Sequence, residues 1–219
     1  MDLDHVASAI RERFDARMQA RERALPASRA AIRSCANAIR ALHREDLETA
    51  HRLMDEAKAA LDQGLAAVAG HPEIRFAGYL QDAQKEYAEA RVTEGIVTGS
   101  TDVPTPEELG VEDAPYLNGI AEAVGEGRRH ALDLLRHGRV DDAEATLSAM
   151  DDLYSVLVTM DYPDAITGNL RRTTDIARSL IEKTRGDLSV ARVSKDLHDA
   201  LDRHAREIRG EGGRSGRTS

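Results

Sequence analysis

The amino-acid sequence predicts a single all-α domain, and three observations support this prediction. Hydrophobic residues make up 41% of the 219 residues and aromatic residues only 3%, a balance that favours helices over sheets. Apolar residues recur mostly three, four or seven positions apart, as they do on one face of a helix. Because the strict alternation of a strand is absent from the sequence, we expect six or seven long helices.

Proline, glycine and capping residues divide this pattern into elements. Residues 3–44 form a first helical stretch, which Pro26 either splits or kinks because proline removes a backbone donor and crowds the preceding turn. Asp46 has the residue type of an N-cap for the next helix, which ends at the Gly-His-Pro sequence of residues 70–72. The other predicted elements are helices over 73–98, 116–136, 141–160 and 188–208, a helical stripe over 166–184 that ends at Gly186, and an irregular connection over 99–115.

Composition bounds the organisation of the chain and its surroundings. The all-helical domain is predicted to span residues 1–209, and the glycine-rich sequence 210–219 is predicted to be a disordered tail. The one cysteine excludes a disulfide scaffold, and no apolar run approaches the roughly 20 residues of a membrane span. The N-terminus carries acids where a signal peptide needs basic residues, so we expect a cytoplasmic protein with no membrane partner.

Two pairs of glutamates stand at helical spacing beside apolar stripes. Glu86 and Glu89 lie three positions apart, and Glu122 and Glu126 lie four apart, so each pair shares one face of its helix. Four carboxylates from two facing helices would repel one another without a cation, and hard oxygen ligands select Mg²⁺ or Mn²⁺. Because the chain has 39 acidic residues, chance pairing on a solvated face is the other interpretation.

The helix that carries the second glutamate pair has two further features. Gly119 and Gly125 lie near its glutamates and have no side chains, which allows another helix to approach closely. Arg128 and Arg129 follow the second pair directly. Arginine beside a carboxylate site is the residue that positions a phosphate group.

The net charge of −9 argues against nucleic acid as a partner, but the charge is unevenly distributed. Residues 171–195 carry seven cationic side chains against three acidic ones, beginning with Arg171 and Arg172. This segment is interpreted either as a nucleic-acid-binding surface or as a salt-bridged solvent face.

Three segments, QKEYAEA, YLNGIAEAVGEGRR and DYPDAITGNLRR, resemble the translin family, and its Trax branch more than translin itself. The resemblance extends over residues 5–205 in the order of the helices. It implies a translin-like helical bundle that assembles into a closed, octamer-like homo-oligomeric shell and binds single-stranded RNA or DNA inside it. The Trax branch further implies a Mg²⁺-dependent endoribonuclease.

The resemblance also assigns the glutamates to a site. Glu86 and Glu89 match the E-Y-x-E motif of Trax, and Glu122 and Glu126 match its D-x-x-x-E motif, although Glu122 stands where Trax has Asp. All four acids are thereby implied as catalytic residues and as ligands of Mg²⁺ or Mn²⁺. A second departure is at residues 77–78, Ala-Gly, where Trax carries basic residues.

Three functional hypotheses follow from the sequence. The first is a Trax-like endoribonuclease that cleaves single-stranded RNA inside a homo-oligomeric shell, with Arg129 on the substrate phosphate. The second is a non-catalytic, translin-type protein that binds single-stranded RNA or DNA. The third is a helical scaffold without nucleic acid. In the first two, single-stranded RNA is expected to bind better than duplex, and Arg128, Arg129, Arg171 and Arg172 are the candidate nucleic-acid contacts.

Overall fold

The computed structural model describes residues 3–100 and 102–212, with side chains to residue 209, and this part of the chain folds entirely into helices and their connections. Six helices are long and three are single turns, which confirms the all-α prediction. In chain order they are α1 (Leu3–Leu42), α2 (Leu47–Ala67), α3 (Pro72–Arg75), α4 (Gly78–Thr98), α5 (Pro106–Leu109), α6 (Asp113–Arg136), α7 (Val140–Leu157), α8 (Asp164–Thr167) and α9 (Leu170–Gly212).

Of the two alternatives at Pro26, a split or a kink, the split does not occur, and neither does the break expected at Gly186. α1 continues through Pro26, because packing holds the helix on both sides of the proline: Gly64 of α2 lies against Ala24 and Ala27. α9 continues through Gly186, so the prediction of two helices there is wrong. Ion pairs from both neighbours of Gly186 tie this part of α9 to α6 and α7, which offsets the roughly 1 kcal/mol that a helical glycine costs.

The helix predicted over 73–98 is instead two helices. α3 is a single turn with Pro72 at its start, and Ala77 has an extended backbone (φ −67°, ψ 140°) that separates it from α4. The irregular connection contains the one-turn α5, which Thr105 and Glu108 close with a reciprocal capping box. The N-cap prediction is confirmed, since the Asp46 side chain accepts a hydrogen bond from the backbone nitrogen of Thr49.

The tail predicted over residues 210–219 lies largely outside the described residues. Residues 210–212 belong to α9, and residues 213–219 are not described.

The two largest apolar clusters among the described residues share α4. One cluster joins α1, α2 and α4, with Leu42, Met54 and Tyr87 among its buried side chains. The other joins α4, α6, α7 and α9, with Val124 and Met150 among its buried side chains. The crossing of α4 with α6 therefore lies in the middle of the molecule.

Both ends of the described chain extend beyond this core. None of residues 3–19 is buried, and none of residues 189–209 is buried. We call these segments the N-terminal arm and the C-terminal arm. Each carries exposed apolar side chains at helical spacing, namely Leu3, Val6, Ile10, Phe14 and Met18 in the first and Val190, Val193, Leu197, Leu201 and Ile208 in the second.

Among the described residues, no helix combines the length and the apolar character needed to cross a membrane.

Candidate functional site

α4 and α6 cross closely because Gly119 of α6 has no side chain. A Cβ atom at this position would lie 2.7 Å from the carbonyl oxygen of Lys85 and 2.9 Å from the backbone nitrogen of Glu89. The backbone of α6 thus packs directly on the turn of α4 that carries the first glutamate pair, as expected for Gly119. Gly125 has no such role, since a Cβ atom there would make an ordinary 3.7 Å contact with Leu180 of α9.

Three of the four predicted carboxylates converge at this crossing. Glu86, Glu89 and Glu122 each offer one oxygen atom, and these oxygens all lie within 4.8 Å of one another. We call these three side chains the carboxylate cluster. Glu89 is the most buried of them, with 9% of its surface exposed.

Glu126, the fourth predicted acid, has a different partner. Its Oε2 atom lies 2.5 Å from Nε2 of His43, at the end of α1, and 3.7 Å from Nη1 of Arg129. The His43 side chain is only 4% exposed. The structure therefore places Glu126 beside the cluster, hydrogen-bonded to His43 at the end of α1, rather than among the three converging oxygens.

A lysine that the sequence analysis did not single out lies against the cluster. Nζ of Lys85 is 2.8 Å from Oε1 and 2.7 Å from Oε2 of Glu122, and 3.5 Å from Oε1 of Glu86. The signal was present in the sequence, because Lys85 directly precedes the first glutamate pair in QKEYAEA. The distant pairing of His43 with Glu126 had no such local signal.

Burial and charge move the pKa values of these groups in different directions. Burial raises the pKa of Glu89 to about 8, and the charges of Glu86 and Glu122 add to the effect. Burial also raises the pKa of Glu86, whereas the hydrogen bond from His43 lowers the pKa of Glu126. Without a cation, Glu89 therefore keeps its proton at neutral pH while Glu126 is ionised.

The donor set fits a hard divalent cation. All three converging ligands are carboxylate oxygens, the donors that Mg²⁺ and Mn²⁺ prefer. The nearby Cys35 is not a competing soft ligand, because burial raises the pKa of its thiol to about 12 and metals bind the thiolate. Glu86, Glu89 and Glu122 are the residues that would hold the ion.

The two arginines that follow Glu126 have different surroundings. Arg128 packs α6 against α9: its Nη2 atom lies 2.9 Å from Oδ2 of Asp187, and its Nη1 atom donates to Oγ1 of Thr184 at 3.0 Å. The Arg129 side chain is 55% exposed and contacts Glu126. Arg129 is therefore the one of the two that is open to a ligand.

Most cations of residues 171–195 pair with acids on the surface. Arg171 and Arg172, at the start of α9, are exposed, and the partner of Arg171 is Asp161 rather than an acid of the cluster. The other ion pairs made by cations of this segment are Arg178–Glu182, Arg185–Asp151, Arg192–Asp141, Arg192–Glu144 and Lys195–Asp141. These contacts favour the salt-bridged interpretation of the segment.

Comparison with known proteins identifies the family. No protein-family model matches the chain. An uncharacterized protein of Methanocaldococcus jannaschii, MJ0175, is 34% identical over 175 residues, which are 77% of this chain and 74% of that protein. The crystal structure of AfC3PO is similar with a TM-score of 0.80 and 31% identity, over 86% of this chain and 97% of that one. The chain belongs to the translin family and is Trax-like.

One further solved structure agrees with this assignment to the translin family, and another shares the fold. The structure of AfC3PO in complex with duplex RNA has a TM-score of 0.76 and 30% identity, over 89% of this chain and 98% of that one. The structure of apo-NeC3PO has a TM-score of 0.74 over 87% of this chain and 97% of that one. Its identity of 22% makes it a likeness of fold alone.

Proposed function

We propose that this Trax-like chain binds RNA and cleaves it as a metal-dependent endoribonuclease within a homo-oligomeric assembly. The observation that supports this proposal most is the carboxylate cluster, whose three oxygens lie within 4.8 Å of one another at the α4–α6 crossing. The similarity to AfC3PO, which was solved in complex with duplex RNA, supports RNA as the ligand.

In the proposed chemistry the carboxylate cluster binds the metal ion, and a neighbouring arginine binds the substrate. Glu86, Glu89 and Glu122 would hold Mg²⁺ or Mn²⁺, with Glu126 as a fourth carboxylate beside them. Divalent ions of this kind activate water and stabilise the negative charge that develops on phosphate oxygens. Arg129, exposed next to Glu126, would hold the substrate phosphate through charge-assisted hydrogen bonds.

The two arms support an oligomeric assembly. Each presents a row of exposed apolar side chains on a helix that leaves the core, and exposed apolar surface of this extent is typical of interaction sites. A second copy of the chain is the partner we propose, in a closed homo-oligomer with the octamer-like shell of the family. Enclosure of this kind would also bring RNA to a protein whose net charge is −9, because the ligand meets only the inner surface.

A translin-type protein that binds RNA without cleaving it is the second candidate. Two observations favour it: Lys85 already places an ammonium group against the cluster, and Glu126 is paired with His43 instead of joining the other acids. In that case the carboxylates would be structural.

Incubation of labelled RNA with the purified protein in Mg²⁺, in Mn²⁺ and in EDTA distinguishes the two candidates. Single-stranded and duplex RNA are both needed, because the sequence favours the former and AfC3PO was solved with the latter. We expect metal-dependent cleavage that Glu89→Gln abolishes while RNA binding persists. Glu94→Gln, an acid of the same helix paired with His51, is the control and should cleave like the wild type. Binding without cleavage in either metal would establish the second candidate.

A further inference from the structure

Lys85 occupies the cation side of the carboxylate cluster. Its ammonium group lies within 3 Å of both carboxylate oxygens of Glu122 and 3.5 Å from Glu86. Lys85 and Glu86 belong to α4, whereas Glu122 belongs to α6, so this lysine bridges the crossing that Gly119 makes close. Among the described ion pairs of the three cluster acids, every one is made by Lys85.

The position of this ammonium group has an electrostatic cause. The oxygens of Glu86, Glu89 and Glu122 lie within 4.8 Å of one another, so those carboxyl groups of the cluster that are ionised repel one another in a half-buried site. Lys85 supplies one positive charge to that site from its own helix. The head group of Lys85 donates to Glu122 at 2.8 Å, and a lysine head group brings three N–H donors and a positive charge to the carboxylates it contacts.

A divalent cation and this ammonium group compete for the same oxygens. A cation held by Glu122 and Glu86 would bind the carboxylate groups that Lys85 now contacts, and two cations on the same carboxylates repel each other. Lysine can yield the position, because its flexible four-carbon stem carries a strongly hydrated head group. The Lys85 side chain is 23% exposed, which leaves it a path to solvent.

We propose that Lys85 is an internal counter-ion of the carboxylate cluster, which a divalent cation displaces on binding, so that this lysine sets the affinity of the site for metal. The inference rests on the proposed function, since it takes the cluster as a cation site. Displacing the Lys85 ammonium group costs free energy when metal binds, and the same group stabilises the metal-free protein.

Calorimetric titration of Mn²⁺ into the full-length protein, without RNA, tests this inference directly. Lys85→Met removes the charge and keeps an unbranched side chain of similar length. We expect it to bind Mn²⁺ about tenfold more tightly than the wild type, because the competing charge is gone. Lys58→Met is the matched control: Lys58 pairs with Asp62 on α2 at 2.5 Å, outside the cluster, and its replacement should leave Mn²⁺ affinity unchanged.

Thermal melting in EDTA and in Mn²⁺ supplies the second readout. Lys85→Met should melt at a lower temperature than the wild type in EDTA, and its melting temperature should rise more than that of the wild type when Mn²⁺ is added. Lys85→Gln, neutral but polar, repeats both measurements if circular dichroism shows that the methionine variant has lost helix.

Two results would overturn the inference, and they differ in what else they affect. If the wild type binds Mn²⁺ and both Lys85 variants bind it equally or more weakly, Lys85 is not a competing counter-ion, and the proposed metal site stands. If neither the wild type nor the variants bind Mn²⁺ at millimolar concentration, the cluster is not a cation site, and the proposed enzyme function fails with the inference.

Discussion

Nε2 of His43 lies 2.5 Å from Oε2 of Glu126, so the end of α1 is joined to the helix that carries half of the predicted acids. His43 is 4% exposed and Glu126 is 25% exposed at their side chains. The pair gives Glu126 a fixed orientation beside the carboxylate cluster, and it lowers the pKa of that carboxyl group. Replacing either residue therefore changes both the stability of the fold and the geometry of the site.

Removing the imidazole should destabilise the protein through Glu126. His43→Leu leaves the partly buried carboxylate without its hydrogen-bond donor, with Arg129 at 3.7 Å as its remaining partner, and we expect the free energy of unfolding to fall by about 2 kcal/mol. His43→Gln keeps a donor and should lose less. Urea denaturation at neutral pH measures the three proteins.

Urea denaturation in acid tests the same His43–Glu126 contact through its pH dependence. The folded pKa of Glu126 is lowered from its ordinary value of 4.5, so its stabilising contribution is present above that pH and is lost as the pH falls through the folded pKa. The difference between wild type and His43→Leu should therefore shrink in strong acid. Equal stability of wild type and His43→Leu at neutral pH would show that the pair contributes nothing.

Glu89 should make the metal-free protein less stable as the pH rises. Its pKa is raised from 4.5 to about 8 in the folded protein. Between these values the unfolded chain loses a proton that the folded protein keeps, so the free energy of unfolding falls with rising pH. The glutamine of Glu89→Gln cannot ionise. From pH 5 to pH 8 in EDTA, the free energy of unfolding of this variant should therefore rise by at least about 2 kcal/mol relative to that of the wild type. Urea denaturation at both pH values measures this change, and an identical difference at both would show that the Glu89 pKa is not raised.

Gly119 and Gly125 offer a matched pair of substitutions in one helix. The methyl group of Gly119→Ala would lie 2.7 Å from the carbonyl oxygen of Lys85, so it must push α6 away from α4. We expect a loss of about 1–3 kcal/mol in stability and weaker Mn²⁺ binding. Gly125→Ala meets only Leu180 at 3.7 Å and should be neutral or gain up to about 1 kcal/mol from helix propensity. Chemical denaturation and Mn²⁺ titration measure stability and metal affinity for both variants. Equal stability and equal Mn²⁺ affinity of the two would contradict the close crossing of α4 and α6.

The two arginines after Glu126 should separate binding from stability. Arg129→Ala removes an exposed cation and is expected to weaken RNA binding several-fold with little change in melting temperature. Arg128→Ala breaks the contacts with Asp187 and Thr184 and is expected to lower the melting temperature. Fluorescence anisotropy with labelled RNA, beside thermal melting, distinguishes the two effects. RNA affinity that is unchanged in Arg129→Ala would place that side chain away from the ligand.

The apolar arms should hold the assembly together. Phe14→Glu and Leu197→Glu place a charge in the apolar row of the N-terminal arm and of the C-terminal arm, and each should reduce the oligomer to smaller species, because burying an unpaired charge is costly. Arg13→Glu, next to Phe14 and also exposed, controls for the added charge. Light scattering at micromolar concentration measures the mass, and a wild type that is monomeric there would remove the assembly from the proposal.

Features that depend on neighbours along the chain could be predicted from the order of the residues. Apolar periodicity indicated the long helices, the Asp46 cap was identified from residue type and position, and spacing placed Glu86 with Glu89 on one helix face. Such features have local causes: hydrogen bonds within three or four residues and the pitch of the helix. The E-Y-x-E segment and its companions were enough to point to the translin family.

Contacts between residues far apart in the chain became visible only in the folded protein. Packing on both sides carried α1 through Pro26, and His43 reached Glu126 from 83 positions away. The absence of a side chain at Gly119 set the distance at which Lys85 meets Glu122. Contacts of this kind depend on how helices dock. Capping residues and helical spacing do not indicate which distant helix a side chain will contact. The sequence could therefore name the four acids, but only the fold showed that three converge while the fourth pairs with a histidine.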